Sequence, residues 1–352
     1  MSVRVNSNPP VSGLEWTVLS GSRQDVFTGL GEVHADAIRA GIERPGWRRL
    51  AERAEGTARD RFDRVLSASR QRLPVEAAEL GWLARGACVD ERDLWIYNLR
   101  GDLGRDGLGC SDLSALRNGH VLIGHNEDGD GELAGTIRLI TLAVDGEPCC
   151  TVVWYPGMLP ANSFVATSAG LVFGMDHVPS VRPHLDGAGR HLVARHAQRQ
   201  SSGANARRVL TSYPCAGGFA FDLADRDGAR IDLIENVAGR FAAAGGNDLR
   251  HTNHLRLVDG QQPGLRLPED DHWMAESRTR CRSLESVSHE IAGVEDVLAA
   301  LRSSGVCNRS ADIYTFCTAA VDLTDDMIIV QGTEEPWRGS LSAFATGKTR
   351  ES

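Results

Sequence analysis

Gly109-Cys110-Ser111-Asp112, followed across a short apolar run by Gly124-His125-Asn126-Glu127-Asp128, is where the chain changes character. Just upstream, residues 100–110 read RGDLGRDGLGC, whose four glycines and two aspartates make a loop by composition. Just downstream, residues 121–124, 137–144 and 149–155 are β-branched or apolar runs separated by Asp, Gly and Pro breaks, which predicts strands. Several of these runs are nearly all apolar rather than alternating, the pattern of strands covered on both faces. A lone cysteine at such a junction reads as a small buried thiol. Here an acid, Asp128, ends the next strand eighteen residues on, so Cys110 and Asp128 bracket one strand–turn–strand unit.

Working outward, the pattern from residue 25 to about 87 is helical. Trp47, Leu50, Ala51 and Ala54 share one face, with Arg48, Arg49 and Glu52 opposite. Leu73, Ala77, Leu80 and Ala84 form a second stripe, and Pro74 suits a first helical turn. Residues 1–24 are polar and Pro-containing and read as an extended arm. Beyond the junction, residues 164–176 predict a hairpin turning at Ser168-Ala169-Gly170, and residues 217–237 another, bending over 224–228. Helices are expected near 187–213 and 276–304, the latter on the stripe Val294, Val297, Leu298 and Leu301. A closing strand pair is expected at 314–323 and 327–331. Helices, then strands, then a mixture make an α+β layered protein.

Composition narrows the function. With 352 residues and 41% hydrophobic content a large core is available. Lys plus Arg number 38 against 47 Asp plus Glu, a net charge of −9, which argues against a general nucleic-acid binder. No run approaches the roughly 20 apolar residues of a membrane helix. The first residues lack the apolar stretch of a secretory signal, so the expected compartment is the cytoplasm. Eight cysteines, none at CxxC spacing, offer neither a disulfide scaffold nor a zinc ribbon. Gly347-Lys348-Thr349 lacks the leading glycine of a phosphate loop, Ala166-Thr167-Ser168-Ala169-Gly170 lacks that of a serine elbow, and Gly29-Leu30-Gly31 lacks a preceding strand. His251 and His254 have no carboxylate or thiol at close spacing and read as polar histidines flanking a loop. No metal is expected.

The pieces together resemble the acyl-coenzyme A:6-aminopenicillanic acid acyltransferase family (isopenicillin-N acyltransferases), a branch of the N-terminal-nucleophile hydrolases. The resemblance runs through most of the chain: DLWIYNLRGD at 93–102, similar to the strand ahead of the family's cleavage site; GCSDL; LIGHNED; SAGLVFGMDHV; GGFAFDLADRDGARIDLIEN; RHTNHL; Ser277-Arg278-Thr279-Arg280; and the final strand pair. It implies the four-layer αββα sandwich, two stacked antiparallel sheets with helices outside. It also implies that the chain cuts itself between Gly109 and Cys110. That would divide the 352 residues into a 109-residue helical first chain (1–109) and a 243-residue second chain (110–352), parts of one structural domain.

What this implies for chemistry is coherent. A free thiol is a poor nucleophile without a base, and a free α-amine of pKa about 7.7–8.0 is a base that works near neutrality. Cys110 as a chain start carries both. By the resemblance, Asp128 holds the amine, Asn253 in HTNH donates to the oxyanion, and Ser310 stands for a serine assisting self-cleavage. Arg309, beside the position of the family's late arginine, is the candidate for substrate or oxyanion contact. Asp112 stands where the family has a small hydroxyl residue; it either favours a cationic amine or faces solvent. His125 is a secondary acid or an ordinary loop residue. The expected activity is hydrolysis or acyl transfer at the C–N bond of a small N-acyl amide through a Cys110 thioester. Acyl-coenzyme A is admitted as co-substrate, no cofactor is needed, and the cleaved first chain stays bound as partner. Two other readings stand beside it: an uncut, non-catalytic scaffold of the same fold, and an uncut thiol hydrolase using His125 or His254 as base.

Overall fold

The structure is a computed structural model that describes residues 3–104, 109–161, 163–262, 264–266 and 271–349. The chain opens with strands β1 (Arg4–Val11) and β2 (Leu14–Gly21). Helices α1 (Arg23–Val33), α2 (Ala35–Ile42), α3 (Pro45–Glu55), α4 (Arg59–Arg72), α5 (Pro74–Ala87), α6 (Glu91–Asn98) and α7 (Arg100–Leu103) follow. Past the junction come β3 (Ser111–Arg117), β4 (His120–Gly129), β5 (Arg138–Val144), β6 (Cys150–Trp154), β7 (Val165–Thr167) and β8 (Leu171–His177). Helices α8 (Arg190–Gln198) and α9 (Gly203–Leu210) lead to β9 (Gly218–Asp225), β10 (Arg230–Val237), β11 (Arg240–Gly246) and β12 (Asp248–His251). The last part holds α10 (His272–Ser286), α11 (Val294–Arg302), β13 (Tyr314–Asp322), β14 (Met327–Gln331), β15 (Trp337–Ser340) and α12 (Leu341–Ala345).

Over the described residues the strands make two stacked sheets, one ordered β1-β2-β5-β6-β7-β8-β9-β10-β11 and the other β12-β3-β4-β13-β14-β15. Of the four apolar cores among the described residues, three define the layers. Helices of the first half and α8–α9 cover the larger sheet through Phe27, Leu80, Trp95, Leu192, Phe173 and Phe221. Ile123, Val153, Phe164, Val172, Phe316 and Val330 fill the space between the sheets. Helix α11 seals the smaller sheet with Val294, Val297, Leu298 and Leu301 on Leu122, Ala320 and Ile329, the stripe expected from sequence. Burial of each such side chain is worth roughly 1.5–3 kcal/mol. The close seating of α11 requires Gly124: a methyl there would come within 2.4 Å of Val297 Cγ1 and 2.6 Å of Leu301 Cδ1. The arrangement is the αββα sandwich, and the near-continuous burial of β4, β8, β9 and β13 explains their apolar runs.

Three expectations are corrected. Residues 4–21 are not an arm but a hairpin that extends the larger sheet, with β2 lying parallel to β5. Pro9 and Pro10 are tolerated because β1 is an exposed edge. Residues 93–102 are helical, not a strand. Asp90 caps α6 by accepting from Arg92 N, and Leu94 through Asn98 are buried on every side, so the apolar run that mimics a strand is a helix enclosed by its neighbours. The expected loop 100–110 begins with the turn of α7; residues 105–108 lie outside the described residues. The helices expected near 187–213 are α8 and α9, separated at 199–202, where Ser202 caps α9 by accepting from Asn205 N.

Candidate functional site

Strands β3 and β4 pair antiparallel, which brings the chain just before β3 alongside the end of β4. Cys110 is buried, and its thiol donates to the backbone carbonyl of Asp128 at 3.7 Å. Gly109 adopts φ +151°, and a methyl there would strike Asp128 Cβ at 2.7 Å and Ile313 Cγ2 at 2.8 Å. Only glycine lets the backbone pass this close to the acid.

The Gly109–Cys110 bond is held from both sides. Gly109 N donates to Asn253 Oδ1 at 2.9 Å. Arg280 Nη1 donates to the Cys110 carbonyl at 2.6 Å and to Ser111 Oγ at 2.8 Å, and its Nη2 donates to Asn253 Oδ1 at 2.8 Å. Glu276, one turn earlier on α10, pairs with the same guanidinium at 2.6 Å. Asn253 is buried; its Nδ2 donates to His177 O and its backbone N–H to Ser277 Oγ. Asp128 accepts from Asn308 Nδ2 at 2.7 Å through Oδ2, while its Oδ1 is buried without a partner. Burial pushes the Asp128 carboxyl up to about 7 against the opposing charge of Arg280. Burial, with the charges of Glu127, Asp176 and Asp128, pushes the Cys110 thiol well above its ordinary value. In the uncut chain the sulfur is therefore neutral.

Cys110, Asp128 and Asn253 are thus brought together, and Gly109 with them. Ser310 is not turned toward them: its hydroxyl donates to Ile313 O and accepts from Ile313 N within its own exposed loop. Arg309 is exposed, with its guanidinium 5.3 Å from the centroid of the Tyr314 ring. Asp112 neither faces solvent nor lines the cavity described below. It is fully buried between the sheets, accepts from His125 Nδ1 at 2.7 Å, and is pushed up to about 7 by burial and by Asp176. His125 is a strand residue, not a loop residue. It bridges Asp112 and, through Nε2 at 3.0 Å, Glu127, whose other oxygen accepts from Tyr155 OH. With both ring nitrogens taken by carboxylates, His125 has no lone pair to offer the thiol. His251 ends β12 at the edge of the loop that follows, as expected, and is fully buried between Asp176 at 2.7 Å and Glu235 at 3.3 Å. The bases of the uncut thiol-hydrolase reading are engaged, since His254 Nδ1 meets Ser277 Oγ at 2.9 Å and burial lowers its pKa to about 4. Ligand atoms of Cys110, His125 and Glu127 lie within 4.8 Å of one another, as do those of Asp112, His125 and Asp176. Either set has the donors to hold a metal, and the donors are engaged in hydrogen bonds: His125 with Asp112 and Glu127, Cys110 with Asp128 O, and Asp176 with His251.

Arg280, Glu127, Tyr155 and Asn308 were not singled out from sequence. Arg280 lay inside a stretch noted only for its similarity, and a helical Arg-Thr-Arg gives no sign of which arginine points inward.

A cavity of about 500 Å³ opens over Cys110, Glu127 and Asp128. Trp47 and Leu50 of α3, Tyr97, Tyr155, Met158 and Phe219 supply its apolar walls. Its size suits a small organic substrate.

The intersheet ion pairs make stability pH-dependent. Burial opposes the charge of His251, but Asp176 and Glu235 outweigh it and raise its pKa from 6.5 to about 9. The folded state binds this proton more tightly than the unfolded state. The stabilisation is therefore complete below pH 6.5 and is lost as pH rises through 9. Asp112 and Asp128, raised toward 7, act in the same direction at lower pH. Between pH 4 and 6.5, His34 and His254, both lowered to about 4, oppose them. The urea unfolding free energy is expected to fall between pH 7 and 9 by on the order of 3 kcal/mol. The slope should flatten in His251→Gln; an equal slope in that variant refutes the assignment.

A family model described as acyl-coenzyme A:6-aminopenicillanic acid acyl-transferase matches residues 115–328. No curated protein matches the chain. Among solved structures it is similar to a mutant conjugated bile acid hydrolase from Clostridium perfringens, at 11% identity over 66% of this chain and 92% of that one, with a TM-score of 0.45. It is similar also to penicillin V acylase from Agrobacterium tumefaciens, at 13% identity over 66% and 86%, with a TM-score of 0.43. Among the described residues no helix is long and apolar enough to cross a membrane.

Proposed function

The chain belongs to the acyl-coenzyme A:6-aminopenicillanic acid acyl-transferase family, and on that premise we propose that it is a self-cleaving amidohydrolase or N-acyltransferase whose nucleophile is Cys110. One observation carries this: a Gly–Cys bond clamped by Asn253 and Arg280 passes against a buried carboxylate with one oxygen left unpartnered. An orphaned buried oxygen is costly. Cleavage supplies what it lacks, the N–H donors of a free α-amine on Cys110.

In the cut, the Cys110 sulfur attacks the Gly109 carbonyl. The C–N bond breaks as the nitrogen takes the thiol proton, and water releases Gly109 as a carboxylate. In turnover the freed amine accepts the thiol proton, the thiolate attacks the substrate amide, and that proton passes to the departing amine. The acyl group rests on sulfur as a thioester until water or an acceptor amine takes it. Asp128 orients the amine. Asn253, anchored through Oδ1 by Arg280, offers its NH₂ to the oxyanion. Arg309 and Ser310 reach this centre only if their loop moves.

The substrate is a small N-acyl amide, with acyl-coenzyme A as an alternative donor; neither cofactor nor nucleic acid enters the chemistry. The two chains stay together because one core joins them: Leu30, Leu80 and Trp95 pack with Val152, Phe173 and Phe221. All eight cysteines are free thiols, which suits a reducing compartment such as the cytoplasm. Intact mass and N-terminal sequencing of purified protein test the proposal. Fragments of 109 and 243 residues, the second beginning at Cys110, are expected from the 352. A persistently single chain that turns over no N-acyl amide favours the scaffold reading instead.

A further inference from the structure

We propose that the far wall of the cavity over Cys110 binds an anionic group carried by the substrate, a carboxylate or a phosphate, through Arg44 and Trp47. This rests on taking that cavity as the substrate pocket. Helix α3 starts at Pro45, so Arg44 is its capping residue and Trp47 lies in its first turn; both line the cavity. Nη1 of Arg44 and Nε1 of Trp47 are each buried and each without a hydrogen-bond partner. Buried N–H donors in folded proteins are almost always satisfied, and a guanidinium and an indole N–H offer donors only. What completes them is an acceptor-rich group, and beside an arginine a charged one is favoured.

The surroundings agree. Arg49 and Arg53 add positive charge on the same side of the cavity and are exposed. Carboxylates occupy the other side: Glu127 and Asp128 beside the nucleophile, Asp130 and Glu132 at the rim. Asp130 and Glu132 are exposed and screened by solvent, whereas the Arg44 donor is not. Arg100 and Arg190 line the cavity as well, but Arg100 donates to Tyr97 O and Met158 Sδ and Arg190 meets His177, so the unpartnered cationic donor lies at the α3 end. That polarity sets a bound substrate in one direction, with its amide over the sulfur.

The test measures binding by calorimetry on full-length Cys110→Ala, so that neither cleavage nor turnover enters and a failure of catalysis is read separately. Three charged compounds are each compared with a neutral twin: N-benzylglutaramate with its terminal carboxamide, N-hexanoylglycine with its carboxamide, and coenzyme A with pantetheine. At least one charged member should bind about tenfold tighter than its twin. The pair that shows the preference tells carboxylate from phosphate and the acyl side from the amine side. Arg44→Met should remove most of the preference, and Trp47→Phe, which keeps the ring and deletes only the donor, should weaken the charged member several-fold while sparing the neutral one. Equal binding within all three pairs, no binding of any charged member at millimolar concentration, or a preference untouched in both variants overturns the proposal.

Discussion

Cys110→Ala is expected to remain a single 352-residue chain and to lose N-acyl amide turnover by at least about 10³-fold, the scale seen when an activated nucleophile is deleted. The two losses have one cause. The sulfur that opens the Gly109–Cys110 bond is the sulfur that later attacks substrate, and without it neither thioester forms. Alanine fits the space with little disturbance, since the buried thiol makes only one weak hydrogen bond, to Asp128 O. The thermal midpoint should therefore stay within a few degrees of the uncut wild-type chain, which separates chemical loss from misfolding. A gel and an intact mass read the cut; product analysis by mass spectrometry reads the turnover. Wild-type turnover in the alanine variant is the result that removes Cys110 from the mechanism.

On the proposed mechanism, the same geometry makes the uncut chain inert. Glu127, Asp176 and Asp128 surround the thiol with negative charge in a dry setting, so it holds its proton far above neutrality. Neither neighbouring histidine relieves this. His125 is held as an imidazolium well above its usual pKa because Asp112 and Glu127 outweigh the burial that opposes its charge. The proposed cleavage would create an α-amine, the base that the site lacks, beside the unpartnered Oδ1 of Asp128.

Much of this was legible in the sequence for identifiable reasons. Strands buried on both faces leave apolar runs, so β5, β6 and β13 stood out, and the stripe on α11 survives because one face alone meets the sheet. Cys110 and Asp128 could be paired because a strand–turn–strand unit places its two ends side by side. Context hid the rest. Residues 93–98 carry a strand-like run because the helix they form is enclosed by its neighbours, which erases the 3.6-residue rhythm. Strand β1 is polar because it is an exposed edge. Asp112 looked like a surface or substrate contact because an acid rarely sits fully buried. Its place depends on His125 directly opposite in the β3–β4 register, a partner found by pairing and not by spacing. Arg280 was hidden for the same reason, since its partners at the Gly109–Cys110 bond are 27 to 170 residues away in sequence.

Arg280→Met should slow self-cleavage and lower kcat by about 10²-fold with little change in KM, a loss of the size produced by misplacing reacting groups by about an ångström. Arg280 does not line the cavity. Its work is to hold the Cys110 carbonyl, Ser111 Oγ and Asn253 Oδ1 in one plane of donors, which fixes the nucleophile relative to the amide beside it. Methionine fills similar volume and removes all of these bonds. The Cys110 carbonyl is then a buried acceptor without a donor, at about 1–3 kcal/mol. Glu276, partly exposed, can regain water, so the total stability loss should stay near that figure rather than that of a stranded buried charge. Arg280→Lys is the discriminating control. An ammonium keeps the charge facing Asp128 and Glu276 but cannot span three acceptors in a fixed fork. If positioning is the role, lysine restores the melting temperature more than it restores kcat. If Arg280 only stabilises the fold, stability and kcat recover together, and a methionine variant that cuts itself and turns over at the wild-type rate removes the residue from the mechanism.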